Sequence, residues 1–324
     1  MFSRKLAFGI TAVLAALCMA QGYAQTGDYP NRPIRLITPA QPGGTTDILA
    51  RVFGARLAET YKQQIVVDNR ASAAGVIAGE LTARAAPDGY TLFMAYHQHT
   101  VTAALNPKLP YHAVNDFTPI SQLTRAGLIL VINPSSPPKN LKEFIDWTKN
   151  FKGALNFGSA GTGSGGHLAG ELYNLATGIK AAHIPYKGSA PSLIDLAAGQ
   201  YHYNFVGMQA AQALVRGGKL RALAVTAPRR VGAYKDLPAV AESLPGFEVV
   251  GWYGVMGPAK LPKPIVGKLH GDLVKFLNAP DIRDRIVADG SEPVGSEPEA
   301  FRLYLLADMA KWAKLVKESG AKLD

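Results

Sequence analysis

The sequence predicts an α/β fold in two lobes, each a mostly parallel sheet flanked by helices. Two observations predict it. Short apolar runs alternate with helical patterns along most of the chain, as parallel strands joined by crossover helices require. Two strand–loop–helix units, far apart in sequence, also share one design: an apolar run, a small-residue loop, then a helix start. With 324 residues the chain has material for two domains with cores of their own.

The N-terminus stands apart from that fold. Arg4 and Lys5 precede an apolar run over residues 6–20, and Gly22 and Ala24 put small residues at the cleavage-determining positions. This is the pattern of a secretory signal peptide over residues 1–24. The run is shorter than the ~20 apolar residues of a spanning helix. Cys18, the only cysteine, lies inside it, behind Leu17 rather than the small residue a lipoprotein signal wants. The mature chain is therefore expected to have no disulfide and no thiol chemistry. The formal charge is +10, but the basic residues are scattered, and in the mature chain only Arg229 and Arg230 are adjacent. Without a basic tract and interleaved aromatics, nucleic acid is not an expected partner. The charge reads as solubility and a mild attraction for anions.

The first lobe opens with a strand at 34–38. The loop Pro39-Ala40-Gln41-Pro42-Gly43-Gly44 follows, and Thr45-Thr46-Asp47 is placed to cap a helix over 48–59. Ile48, Leu49, Val52, Phe53 and Leu57 recur at helical spacing, which gives that helix one buried face. A strand at 65–67, a small-residue loop at 69–75, a helix to 86, a turn at 87–89 and a strand at 90–94 complete the unit. Extended runs at 117–123 and 128–132 flank Arg125-Ala126-Gly127, where the chain is expected to enter the second lobe.

There, an amphipathic helix over 141–151 precedes a strand at 154–157 and the loop Gly158-Ser159-Ala160-Gly161-Thr162-Gly163-Ser164-Gly165-Gly166-His167, with a helix over 168–176. Backbone N–H groups of such a helix start point at an anion, and serine and threonine hydroxyls add donors. Strands at 183–186, 201–206 and 220–226 alternate with helices over 191–198 and ending at 216, stopped by Gly217-Gly218. An apolar run at 249–256 returns the chain, and helices over 263–278, 281–288 and 298–319 are expected on the first lobe. The expected division is 25–124 with 249–324 as one domain and 125–248 as the other.

Motifs for chemistry are sparse. Gly161-Thr162-Gly163-Ser164-Gly165-Gly166 fits the dinucleotide pattern, yet no acidic residue stands at the ribose-binding distance: Glu171 is too early and Asp195 too late. No lysine follows, so it is not a P-loop. His97-Gln98-His99 lacks a carboxylate cluster, so no metal is predicted. Ser159, Ser164 and Ser189 lack a nucleophile elbow. The rival readings, a secreted α/β hydrolase and a dinucleotide-binding enzyme, are disfavoured, and no cofactor is predicted. Two like cradles suggest one anionic ligand gripped from both sides.

Pro42-Gly43-Gly44-Thr45-Thr46-Asp47, Asp68-Asn69-Arg70, Ala86-Pro87-Asp88-Gly89-Tyr90, Ser159-Ala160-Gly161-Thr162-Gly163-Ser164 and His183-Ile184-Pro185-Tyr186-Lys187-Gly188 run in order along the mature chain. In these the sequence resembles the extracytoplasmic solute-binding proteins of tripartite tricarboxylate transporters, the Bug family. The resemblance implies a periplasmic, monomeric protein of the type II flytrap fold. It would hold a small organic acid in an interdomain cleft, without catalysis, and pass it to permease subunits in the membrane. The implied site comprises Pro42 to Asp47, Ser159 to Ser164, His167, Tyr186 and Met208. Ser72, Ala73, Ala74 and His97 join it as a variable wall, because Ala71-Ser72-Ala73-Ala74-Gly75-Val76 stands where the family carries a glycine-rich loop.

Overall fold

The computed structural model describes residues 29–43, 45–72, 75–288 and 290–319. The expected signal peptide, Gly44, Ala73 and Ala74 lie outside the described residues. In chain order the elements are β1 (Ile34–Thr38), α1 (Thr45–Tyr61), β2 (Ile65–Asn69), α2 (Val76–Ala83), β3 (Thr91–Tyr96), α3 (Gln98–Leu105), β4 (Phe117–Ile132), α4 (Leu141–Lys149), β5 (Asn156–Ser159) and α5 (Gly165–Thr177). Then come β6 (Ala182–Pro185), α6 (Ser189–Ala197), β7 (Tyr203–Gly207), α7 (Met208–Arg216), β8 (Arg221–Val225), β9 (Val250–Pro258), α8 (Lys263–Leu277), α9 (Pro280–Ala288), β10 (Glu292–Pro293) and α10 (Pro298–Ser319).

The strands form one curled sheet in the order β2-β1-β3-β9-β4-β7-β5-β6, with β8 and β10 also on β4. Its flanks are parallel, β1 with β2 and β3 on one side, β5 with β6 and β7 on the other. The centre is antiparallel: β9 pairs with β3 and β4, and β4 with β7 and β8. The two runs read around Arg125-Ala126-Gly127 are one strand of 16 residues. Ala126 opposite Gly251 and Gly127 opposite Val250 carry the ladder through the stretch that looked like a break. The first part of β4 belongs to one half-sheet and its last part to the other.

Local signals explain most elements. In α4, Leu141, Phe144, Ile145 and Thr148 are buried at helical spacing, and Asn140 caps the start by accepting from Glu143 N at 2.9 Å. Two features are non-local. Helix α3 follows β3 at once. Its Val101 is fully buried and Thr100 donates to Asp308 of α10 at 2.6 Å, so packing overrides a weak helix sequence. Helix α10 does not keep to the first half, as expected of it. Phe301 and Leu305 pack with Trp252 and Phe117, but Trp312 and Leu315 pack with Phe144, Leu168 and Tyr173.

Candidate functional site

A cavity of about 410 Å³ opens where the two halves of the sheet meet. Thr45, Gln98, Gly165, Ser189 and Met208, the first residues of α1, α3, α5, α6 and α7, all line it. Each helix start leaves N–H groups without an intrahelical partner and presents the positive end of a dipole. Tyr96, His97, Leu128, Phe205 and Tyr253 supply much of the remaining wall, and among the described residues that line it none is Lys, Arg, Asp or Glu. The arrangement favours a negative charge held by backbone amides without an ion pair.

Of the second loop, Ala160, Ser164, Gly165 and Gly166 reach the cavity. Ser164 is the N-cap of α5, accepting from His167 N at 3.4 Å, so the helix starts at Gly165 rather than near 168. The rest of the loop turns away. Ser159 is fully buried; its Oγ accepts from Gly161 N at 3.0 Å and lies 2.7 Å from His183 Nε2. That pair has the spacing of a nucleophile and base, but its burial keeps it from the cavity. His167 is buried too. Its Nδ1 accepts from Gly163 N at 3.0 Å, and its ring stacks on His183 with centroids 4.0 Å apart. Gly161 and Gly163 take φ of 131° and 75°, which only glycine adopts without strain. Thus Ser159, Gly161, Gly163 and His167 shape the loop, and neither they nor Thr162 are among the cavity-lining residues. Tyr186 likewise points elsewhere, donating to Asp195 at 2.8 Å.

Among the described residues of the first loop and its cap, only Thr45 lines the cavity. Pro42 and Gly43 are exposed, while Thr46 and Asp47 are buried. The sequence placed Asp47 in the ligand site; the structure makes it a brace. Its carboxylate accepts from Gly43 N, Asn69 Nδ2 and Arg51 Nε at 2.9, 2.9 and 3.0 Å. Asn69 also donates to Ala40 O at 2.9 Å, so the end of β2 and the start of α1 pin the loop between them. Ser72 accepts from Ile77 N at 3.2 Å and does not line the cavity.

His97 does line it. Its backbone N donates to Trp252 O at 3.0 Å, and its buried Nδ1 has no hydrogen-bond partner. The ring lies between β9 and the start of α5. An added Cβ at Gly251 would stand 3.3 Å from Nδ1, and one at Gly165 3.7 Å from Nε2. Burial pushes its pKa down to about 4, so it offers a neutral imidazole. His99 is not on this wall. A helix rotates residues i and i+2 well apart, and His99 is buried against Tyr111 and Phe117 with Nε2 donating to Ala113 O at 2.8 Å.

The tripartite tricarboxylate transporter family receptor (TctC) pattern matches residues 49–321. The chain belongs to this family. It is 36% identical over 298 residues to Protein BugT of Bordetella pertussis, covering 91% of each chain. Among solved structures, an R. palustris protein with adipate is 35% identical at a TM-score of 0.81, over 91% of this chain and 100% of that one. MatC from Rhodopseudomonas palustris, with bound malate, is 32% identical at 0.75, over 89% and 100%. TctC receptors are periplasmic binding proteins rather than enzymes.

In this TctC receptor, sequence reasoning missed Tyr96, Gln98, Leu128, Ser189, Gln209 and Tyr253 as lining residues. Ser189 carried a signal, since Pro191 just inside a helix start marks Gly188-Ser189 as its entrance. The brace at Asp47 yields a pH prediction. Burial opposes its charge, but hydrogen bonds from Arg51, Gly43 N and Asn69 outweigh that and hold its pKa below the ordinary carboxylate range. Its stabilising contribution is full above the unfolded value of about 3.9 and is lost as pH falls through the folded one. Asp47→Asn is expected to cost about 1–3 kcal/mol at neutral pH. In urea unfolding, the gap to the parent should narrow below about pH 4. A gap that does not change with pH would show that the ionised carboxylate contributes nothing.

Proposed function

We propose that this receptor captures a small organic acid as its carboxylate in the cavity between its halves and delivers it to a tripartite tricarboxylate-type membrane transporter. The observation that carries the reading is the convergence of five helix starts on a cavity with no charged side chain among its described lining residues. The relatives solved with adipate and malate support the same class of ligand. Residues 25–124 with 249–324 form one lobe and residues 125–248 the other. They hinge on β4, which runs from one half-sheet into the other, and on the return of the chain into β9. The protein acts as a monomer in the periplasm, after removal of residues 1–24, and meets the permease subunits of its transporter there.

A thermal-shift series of mono-, di- and tricarboxylates, each beside its uncharged amide, tests the charge. A ligand that binds only the folded state raises the melting temperature. At least one acid should do so while its amide does not, and the same acid should compact the protein in solution scattering by closing the hinge. Equal shifts from acid and amide would refute the anion-binding reading.

A further inference from the structure

A second cavity, of about 280 Å³, adjoins the first, and Gly127 and Ser291 stand in both walls. Its chemistry is the reverse of the first. Arg125, Arg229, Arg230 and Arg283 line it, and among the described lining residues the one carboxylate is Glu292. Both halves of the sheet contribute. Arg229 and Arg230 follow β8, which pairs with the last part of β4, whereas Glu292 lies in β10, which pairs with Thr124 and Arg125. Arg283 belongs to α9. Glu292 is shared between two guanidinium groups. Arg125 Nε donates to its Oε2 at 2.9 Å and Arg125 Nη2 to its Oε1 at 3.0 Å, while Arg229 Nη2 donates to the same Oε1 at 3.4 Å. One carboxylate cannot balance two such groups, so a positive charge is left over. Arg230 is matched separately, by both oxygens of Glu242 at 2.9 Å. Arg283 is exposed; its Nη1 donates to Asn278 Oδ1 at 3.4 Å, and no described carboxylate pairs with it. Between the charges stand Val231, Val250 and Val287, apolar walls that screen less than water does.

We propose that this arginine-lined pocket is a second anion site, for inorganic phosphate or the phosphate group of a monoester. The site does not depend on the carboxylate reading of the first cavity. A carboxylate presents two oxygens in one plane, and Glu292 already gives Arg125 that partner. A tetrahedral phosphate presents oxygens in several directions, which suits guanidinium forks arriving from β4, from the segment after β8 and from α9. The valines leave an apolar surface for the organic part of a monoester. Arg229 comes from one half of the sheet and Arg283 from the other, so a bound phosphate ties the halves together. Any motion of one half against the other is then coupled to occupancy of this pocket, and the coupling is reciprocal.

Calorimetric titration of the mature chain with inorganic phosphate and with glycerol 3-phosphate, at an ionic strength held constant with sodium chloride, tests this. At least one of the two should bind, and which one binds more tightly identifies the source of the phosphate group. The double variant Arg229→Gln/Arg283→Gln should weaken that binding about tenfold or more. Its melting temperature in chloride should stay near the parent's, because both side chains are exposed. Arg283→Gln alone should weaken binding in the same direction. Glu292→Gln should act oppositely and tighten it, since the competing charge on Arg125 and Arg229 is gone. Absence of binding by both probes, equal binding by parent and double variant, or weaker binding by Glu292→Gln would each overturn the proposal. None of these outcomes touches the carboxylate reading, because Arg229, Arg283 and Glu292 do not line the first cavity.

Discussion

Gly165→Ala is expected to weaken ligand binding about tenfold or more with little change in stability, and Gly166→Ala to lower stability first. The two glycines are adjacent in the first turn of α5, but they face different things. A Cβ at Gly165 would lie 3.4 Å from Leu128 Cδ1 and 3.7 Å from His97 Nε2, ordinary packing distances inside the cavity. The methyl group fits, and it occupies the approach to the amides at the helix start. A Cβ at Gly166 would lie 2.3 Å from the Phe205 carbonyl oxygen, which is backbone of β7 and cannot swing aside. Helix and strand must separate, a misfit of about 1–3 kcal/mol. Melting temperature and acid affinity, measured on both variants, separate the effects. If the two variants melt together, the close contact of α5 with β7 does not constrain this helix. If Gly165→Ala binds the acid like the parent, the anion does not sit at the start of α5.

Asp308→Ala should be the most destabilising change at a polar residue away from the cavity. Asp308 is buried on α10 and accepts from Trp252 Nε1 at 2.9 Å and Thr100 Oγ1 at 2.6 Å. These two residues also hold the backbone of His97. Thr100 Oγ1 donates to His97 O at 2.9 Å, and His97 N donates to Trp252 O. Removing the carboxylate strands an indole N–H in the core, at about 1–3 kcal/mol, leaves the Thr100 hydroxyl only His97 O to donate to, and loosens the residues that hold His97 on the cavity wall. The sign of the pH effect is opposite to that at Asp47. Burial raises the Asp308 pKa, despite hydrogen bonds from Thr100 and Trp252 that lower it. Its contribution is therefore full below the ordinary carboxylate pKa and falls as pH rises through the folded value. Asp308→Asn, neutral throughout and still an acceptor, should stay near parent stability at neutral pH where Asp308→Ala does not. Denaturant unfolding of both variants measures this, and equal losses would show that hydrogen bonding at this site is immaterial.

The sequence by itself determined the class of fold, the order of most strands and helices, and the presence of two small-residue loops before helix starts. Each of these is a local property, written in periodicity, caps and turn residues within a few positions. It also carried the family, because those loops recur in order along the chain. The tertiary structure decided which residues of each loop face the cavity. Asp47, Ser159 and His167 have the residue types of ligand contacts, yet they turn inward, because their partners Asn69, His183 and Gly163 complete hydrogen bonds there. It decided that α3 exists, through a bond from Thr100 to a residue 208 positions away. It decided that residues 117–132 form one strand, because β9 supplies the ladder on the far side of Gly127. The convergence of five helix starts on one cavity is of the same kind. Each start has a local signature, but their meeting depends on the sheet order, which arises from pairings between segments distant in the chain.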